Sequence, residues 1–310
     1  MEVIHSISNY HPQRSSILTI GTFDGVHVGH QKIIRNLVEN AKKQNLSAIV
    51  LTFFPHPRVI LQKESQIKMI DTMEEKKRLL EKLGVDFLII QPFTLAFSKM
   101  TAVEYTRDIL VHKLKISKLI LGYDHRFGRN REATVADLKQ FGLDYGFEVE
   151  EIPAQDIDSI AVSSTQVRKA IATGALQKAN RYLGRPFSLS GIVVKGDEIG
   201  RKIGYPTANI EMEEDDKLKP QEGVYLVQCH WKGKKLFGMM NVGKRPTVAG
   251  KETQIETYFF DFKGDLYGKR LRIDLLEKIR EEQKFDSLDT LKNQLDADQN
   301  SCQNLIPNYQ

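Results

Sequence analysis

Ile17-Leu18-Thr19-Ile20-Gly21-Thr22-Phe23-Asp24-Gly25-Val26-His27-Val28-Gly29-His30 opens as an apolar run and closes on two histidines flanking a valine and a glycine. The run reads as a buried strand. Gln31 to Lys43, where Ile34, Leu37, Val38 and Ala41 recur at helical spacing, reads as the helix that follows. His27 and His30 therefore fall at a strand-to-helix junction. Glycines there let backbone amides approach a phosphate, and the helix N-terminus adds its positive dipole end. Imidazoles aimed at the same point donate hydrogen bonds to a transferring phosphoryl group. The combination suits a site that splits a nucleoside triphosphate. Taken alone, H-x-G-H also reads as Gly-rich turn chemistry with two incidental histidines.

Outward from that stretch, residues 1 to about 180 alternate strands and helices. Strand-like runs at Ile17–Ile20, Ala48–Phe54, Phe87–Ile90, Lys118–Gly122 and Phe147–Ile152 enclose helical patterns at Gln31–Lys43, Met73–Leu83, Ala102–Lys113 and Ala136–Tyr145. This alternation predicts an α/β fold with a doubly wound parallel sheet. Ligands bind beyond the carboxyl ends of such strands, where the His27/His30 turn falls.

From about Ser188 the pattern changes to short β-rich runs punctuated by glycines. They lie at Leu189–Lys195, Val224–Trp231, Lys235–Val242, Thr253–Phe260 and Leu271–Leu276, and one helix closes the chain near Ser287–Leu295. A small antiparallel barrel is expected. The Gly/Pro break Leu183-Gly184-Arg185-Pro186 places the boundary between domains 1–183 and 184–310.

With 310 residues, two domains are the natural division. Apolar content of 41% and charged content of 27% are those of a water-soluble globular chain. No segment has the form of a signal peptide, and no apolar run approaches the ~20 residues that span a bilayer. Cys229 and Cys302 form neither a metal spacing nor a disulfide framework, as expected in a reducing cytoplasm. The net charge of +5 is scattered among acids, which argues against nucleic acid and suits anionic nucleotides. Glu211 to Asp216 reads as a solvated acidic loop.

Three further segments of the first half carry candidate chemistry. In Thr52-Phe53-Phe54-Pro55-His56-Pro57, prolines fix an extended loop beside two aromatics, a wall for a flat ring. It reads equally as a Pro-bounded strand end. Gly122 to Arg129 is a basic loop after a strand, able to meet phosphates or simply exposed. Ser163-Ser164-Thr165 before Val167, Ala170 and Ile171 is first of all a helix N-cap. Arg168 lies one turn further on, so its guanidinium can turn toward phosphates near Ser164 and Thr165.

In the second half, Gly196, Gly200 and Gly204 make a loop able to wrap phosphates, without P-loop spacing. In Pro206-Thr207-Ala208-Asn209, the Thr207 hydroxyl and the Asn209 amide oxygen stand two residues apart. An extended chain points both to one side, and both are hard oxygens suited to Mg²⁺. The tetrad also reads as a β-turn.

These motifs together resemble a known family. G-T-F-D-G-V-H-x-G-H is similar to the nucleotidyltransferase signature as it stands in bacterial bifunctional riboflavin kinase/FMN adenylyltransferases (FAD synthetases). The resemblance implies catalytic roles for His27, His30 and Arg168, and ATP phosphate binding by Gly21, Phe23, Asp24, Gly29, Ser164 and Thr165. It places Phe54 and Pro55 of T-F-x-P-H-P near ATP and flavin. It also gives Asp124, in a loop resembling G-x-D-F-x-F-G, to the isoalloxazine edge. His125 departs from the aromatic usual there. The Pro206–Asn209 tetrad resembles the riboflavin kinase signature, implying Thr207 and Asn209 as metal and phosphate ligands, with Gly196, Gly200 and Arg201 at the ATP phosphates. Asn241-Val-Gly-Lys-Arg-Pro-Thr247 is similar to N-x-G-x-R-P-T. The strand acid Glu256, otherwise an ordinary surface carboxylate, takes the place of the general base. Asn241 and Arg280 would meet the flavin, Arg280 from a segment, Leu276 to Phe285, that resembles a mobile flap.

The implied function is phosphorylation of riboflavin to FMN in the second half and adenylylation of FMN to FAD in the first. ATP is co-substrate, Mg²⁺ the cofactor, flavins the substrates and products. The expected location is the cytoplasm, without nucleic-acid or membrane partners, and the oligomeric state stays open. Rival readings are another H-x-G-H adenylyltransferase, a non-catalytic flavin- or RNA-binding regulator, and loss of one of the two activities.

Overall fold

The computed structural model describes residues 1–61, 67–122, 126–129, 132–152, 162–196, 198–247 and 250–310. They form two compact units, Met1–Ser164 and Thr165–Gln310.

The first unit is built on a six-stranded sheet. Its strands are β1 (Glu2–His5), β2 (Ser16–Ile20), β3 (Ser47–Phe54), β4 (Phe87–Pro92), β5 (Ile116–Gly122) and β6 (Glu148–Ile152), in the order β1-β4-β3-β2-β5-β6. All pairs are parallel. Apolar residues on alternating faces explain why both faces are covered. Leu18, Ile49, Leu51 and Leu119 feed one core, while Ile17, Ala48, Val50 and Ile120 feed the other. After β2 the chain moves first to β3 and later to β5 on the opposite side. That reversal of strand order opens the crevice where the residues after β2 lie.

Helix α1 (Val28–Gln44) lies against β2 and β3 through the Ile34, Leu37, Val38 and Ala41 face expected from the sequence. Asn45, in the left-handed region, closes it. The helical pattern at Ala102–Lys113 folds with a different winding, a short α-helical start at Ala102–Glu104 continuing as a π-helix over Tyr105–Lys113. The edge strand β1 was not foreseen. It is only four residues long and its burial does not alternate cleanly, so no period-2 signal marks it.

The second unit is a closed antiparallel barrel. It comprises β7 (Phe187–Val194), β8 (Ala208–Met212), β9 (Gly223–Trp231), β10 (Lys234–Thr247), β11 (Gly250–Phe259) and β12 (Arg270–Arg280), closed in the order β10-β11-β8-β7-β12-β9. Strand β8 takes up Glu211 and Met212 from the segment expected to be a loop. The last helix runs Leu288–Leu305, well past the expected Leu295. Its inward face includes Leu295, Asp298, Cys302 and Leu305, so a buried acid interrupts the apolar period.

Two helices, Ser164–Ala172 and Leu176–Leu183, precede the barrel. The second packs on β7 and β12 and buries Leu176, Ala179, Tyr182 and Leu183. Its Asn180 amide donates to the Leu275 carbonyl at 2.9 Å and accepts from the Phe187 amide at 2.7 Å. A fragment spanning Thr165–Gln310 should therefore unfold cooperatively. One beginning at residue 184 should lose about 1–2 kcal/mol of hydrogen bonding plus several kcal/mol of apolar burial. Equal urea midpoints for the two fragments would contradict this packing.

Candidate active sites

In the first unit, the turn after β2 is strained. Phe23 has φ 45°, Gly25 φ 82° and Val26 φ 33°, so two residues with side chains sit in the left-handed region. Three elements hold them there. The Asp24 carboxylate, fully buried, accepts from the Ile70 amide at 3.0 Å. The Ser164 hydroxyl donates to the Asp24 carbonyl at 2.8 Å. The Lys76 ammonium, on a side chain 2% exposed, donates to the Thr22 carbonyl at 2.7 Å. Such strain persists only where the surroundings over-determine it, as they do at functional sites.

His27 is the N-cap of α1. Its Nδ1 accepts from the His30 amide at 3.4 Å. The two imidazoles stack, centroids 3.6 Å apart and planes inclined by 17°, and the edge of Phe23 meets His30 at 5.1 Å. Burial holds the His30 imidazole well below its ordinary pKa of 6.5, with His27 and the Lys76 ammonium adding to the effect. His30 Nδ1 is out of solvent and has no hydrogen-bond partner among the described residues. His30 is thus neutral in the free protein near pH 7. It offers a phosphate a hydrogen-bond donor rather than a standing positive charge.

The structure brings together Gly21, Phe23, Asp24, His27, Gly29, His30 and Ser164. The side chains of Phe23 and Asp24 are both buried, so what the turn presents to a ligand is backbone. At the end of β3 the Phe54 ring stands 53% exposed beside Pro55, while Phe53 packs inward on Phe93 at 5.5 Å. Thr165 is exposed and Arg168 half-buried on the Ser164–Ala172 helix. Asp124 and His125 lie outside the described residues. Lys76 was missed in the sequence. The available signal was a lysine four residues before Leu80, on the apolar face of the Met73–Lys82 helix.

The barrel assembles its site through strand register. Asn241 of β10 stands opposite Glu256 of β11, and Glu256 opposite Asn209 of β8. Directly opposite residues share a face, so the three side chains form one row. Thr207, just before β8, donates its hydroxyl toward Glu256 Oε2 at 3.5 Å. Gln254 Nε2 lies 2.6 Å from Glu256 Oε1 and 3.1 Å from Asn209 Oδ1. A Cβ at Gly196 would meet the Asn209 side-chain amide, so the absence of a side chain there lets the loop after β7 lie directly against this row. Gly200 and Arg201 sit in the short Ile199–Lys202 helix, Arg201 toward Glu198 at 3.4 Å.

Arg280 is held by the final helix. Its Nε and Nη2 fork onto the Asp298 carboxylate at 2.9 and 2.8 Å, and that carboxylate is 2% exposed. Its guanidinium also faces the Phe285 ring at 5.8 Å. Two residues before Asp298, Asp296 accepts from the Tyr205 hydroxyl, immediately ahead of Pro206–Asn209. The C-terminal helix thereby ties down both the tetrad and the end of β12. Sequence reading passed over both aspartates because each looks like an ordinary helix-surface acid.

Two family models divide the chain. The FAD synthetase model matches residues 10–166 and the riboflavin kinase model residues 183–306. A bifunctional riboflavin kinase/FMN adenylyltransferase of Escherichia coli K12 is 40% identical over 297 residues, 96% of this chain and 94% of that relative. The chain belongs to this bifunctional family. A relative of the same name from Haemophilus influenzae is 37% identical over 282 residues, 91% of each chain. A solved structure titled as a macrolide-efflux protein of Streptococcus pneumoniae superposes with TM-score 0.91 at 33% identity, covering 98% of this chain and 99% of that one. Among the described residues here, no helix is long and apolar enough to cross a membrane.

The lowered His30 value has a signed consequence. Below about pH 6.5 the unfolded chain protonates this imidazole while the folded first unit does not. Stability should then fall with acidification by up to about 1.4 kcal/mol per pH unit from this group. Urea unfolding between pH 7.5 and 5 should show that slope, reduced by close to one proton in His30→Gln. An identical slope in the variant would contradict the assignment.

Proposed function

We propose that the two units carry out consecutive steps, riboflavin to FMN on the barrel and FMN to FAD on the α/β unit, each at the site described above. The observation that carries the reading is the row of Asn209, Glu256 and Asn241 beside Thr207, in a chain that also folds its H-x-G-H turn onto a helix N-terminus.

On the barrel the nucleophile is the neutral 5′-hydroxyl of riboflavin. Glu256 accepts its proton as the oxygen attacks the γ-phosphorus of ATP, and ADP leaves. Thr207 and Asn209 supply hard oxygens next to that carboxylate, the donor chemistry Mg²⁺ takes. Bound Mg²⁺ would offset the charge of the phosphates. Gly196, Gly200 and Arg201 are assigned to the phosphates, Asn241 and Arg280 to the flavin, with Arg280 held by Asp298.

On the α/β unit the nucleophile is the FMN phosphate, already anionic, so no base is required. Its oxygen attacks the α-phosphorus of ATP and pyrophosphate leaves. Positioning and charge stabilisation supply the catalysis. His27 and His30 donate from the start of α1, with Gly21, Gly29 and the turn backbone around Phe23 and Asp24. Ser164, Thr165 and Arg168 are assigned to the triphosphate, and the exposed Phe54 with Pro55 to the flavin ring. Asp124 is assigned to the isoalloxazine edge on the family resemblance alone. The adenylyltransferase domain is assigned to residues 1–183 and the riboflavin kinase domain to residues 184–310. The expected compartment is the cytoplasm, where ATP and flavins meet.

Incubation with riboflavin, ATP and Mg²⁺, followed by chromatography, should yield FMN and then FAD. Glu256→Gln should slow FMN formation by roughly 10²–10⁴ and spare FAD formation from supplied FMN. His30→Ala should do the reverse, at a cost of about 10²–10³. Equal loss of both steps in either variant would refute separate sites.

A further inference from the structure

Gln254 belongs to none of the recognised motifs, yet its side chain meets two of the proposed kinase residues. It lies two residues before Glu256 on β11, so both side chains project from the same face of the strand. Its register partner on β10 is Gly243, which puts no side chain of its own across from it. A carboxylate only accepts, so the Gln254 donor must be the group facing Glu256. Its Nε2 carries two hydrogens, one within reach of Glu256 Oε1 at 2.6 Å and the other of Asn209 Oδ1 at 3.1 Å. Asn209, buried on β8, thus anchors the amide that holds the carboxylate.

We propose that Gln254 is a positioning residue of the riboflavin kinase site, clamping Oε1 of Glu256 so that Oε2 is the oxygen presented to the substrate hydroxyl. This rests on the reading of Glu256 as general base. A glutamate on a strand has rotatable bonds between its backbone and its carboxylate, and two chemically equivalent oxygens. Proton transfer needs one of them at hydrogen-bond distance from the reacting hydroxyl, and small displacements are costly. The Gln254 amide removes this freedom on one side. On the other side, Oε2 faces the Thr207 hydroxyl, which belongs to the tetrad assigned to metal and phosphate. As the riboflavin oxygen bonds to the γ-phosphorus and the bond to ADP breaks, the hydroxyl proton passes to Oε2. Oε1 remains on Gln254 throughout.

A role in folding alone would look different. The β11 ladder to β10 and β8 is made by backbone groups that this amide does not join. Its loss should therefore leave the barrel intact and touch only the step that uses Glu256.

The test is Gln254→Met, close in length and without a donor, in the full chain. The expected result is a kcat for FMN formation lowered about 10–100-fold, as for a lost hydrogen bond to a charged group. KM for riboflavin should stay within about twofold, with the melting temperature and FAD formation from FMN unchanged. In a double-mutant cycle, Gln254→Met added to Glu256→Gln should cost little more than the latter alone, because the group it positions is already gone. An unchanged kcat, a rise confined to KM, or fully multiplicative losses would each overturn the clamp. If the parent protein itself formed no FMN from riboflavin, the kinase reading would fail first. A parent that is active with a Gln254→Met variant equal to it would sink the clamp alone.

Discussion

The register of β11 between β10 and β8 is the constraint on which the kinase site depends. It places Glu256 across from Asn241 on one side and Asn209 on the other. Because side chains alternate along a strand, a slip of one residue would turn Glu256 to the opposite face and put Ile255 in its place. Ile255 is buried and Glu256 is not, so the apolar packing that fixes the register also fixes the carboxylate. Closure of the barrel leaves these central strands no free edge along which to slide.

The α/β unit answers a different demand by a related route. Phosphates are met best by backbone amides at a strand-to-helix turn, and such a turn must take unfavourable torsions at Phe23 and Val26. The surroundings hold it from several directions, through Lys76 on Thr22, the Ile70 amide on Asp24 and Ser164 on the Asp24 carbonyl. The buried Lys76 ammonium has a second effect. After burial and the stacked His27, it is the third influence that holds the His30 imidazole well below its ordinary pKa in the free protein. A sequence reading that counts histidines as cations misses this distinction.

Much of the architecture was legible in the sequence because it rests on periodicity. β2, β3, β5 and α1 carry clean apolar patterns, and the structure keeps them within a few residues. The stretches around His30 and Thr207 stood out because turn chemistry and spacing are local, whereas Glu256, an ordinary strand acid by itself, was singled out only through the family resemblance. Most of what escaped lacked a local signal, and Lys76 had only a faint one, a lysine on an apolar helix face. Strand β1 is too short, and the last helix hides its inward face behind Asp298. Lys76, Gln254 and Asp296 are polar residues whose importance exists only through a partner distant in sequence.

The central claim is that one chain carries two separate active sites linked by FMN. Its most direct test mixes two purified full-length variants, Glu256→Gln and His30→Ala, with riboflavin, ATP and Mg²⁺, and follows FAD over time. Each variant alone should make little or no FAD from riboflavin. The mixture should make it after a lag in which FMN accumulates, because FMN released by one barrel is adenylylated on the other protein's α/β unit. A mixture that forms FMN but no more FAD than either variant alone would contradict independent sites.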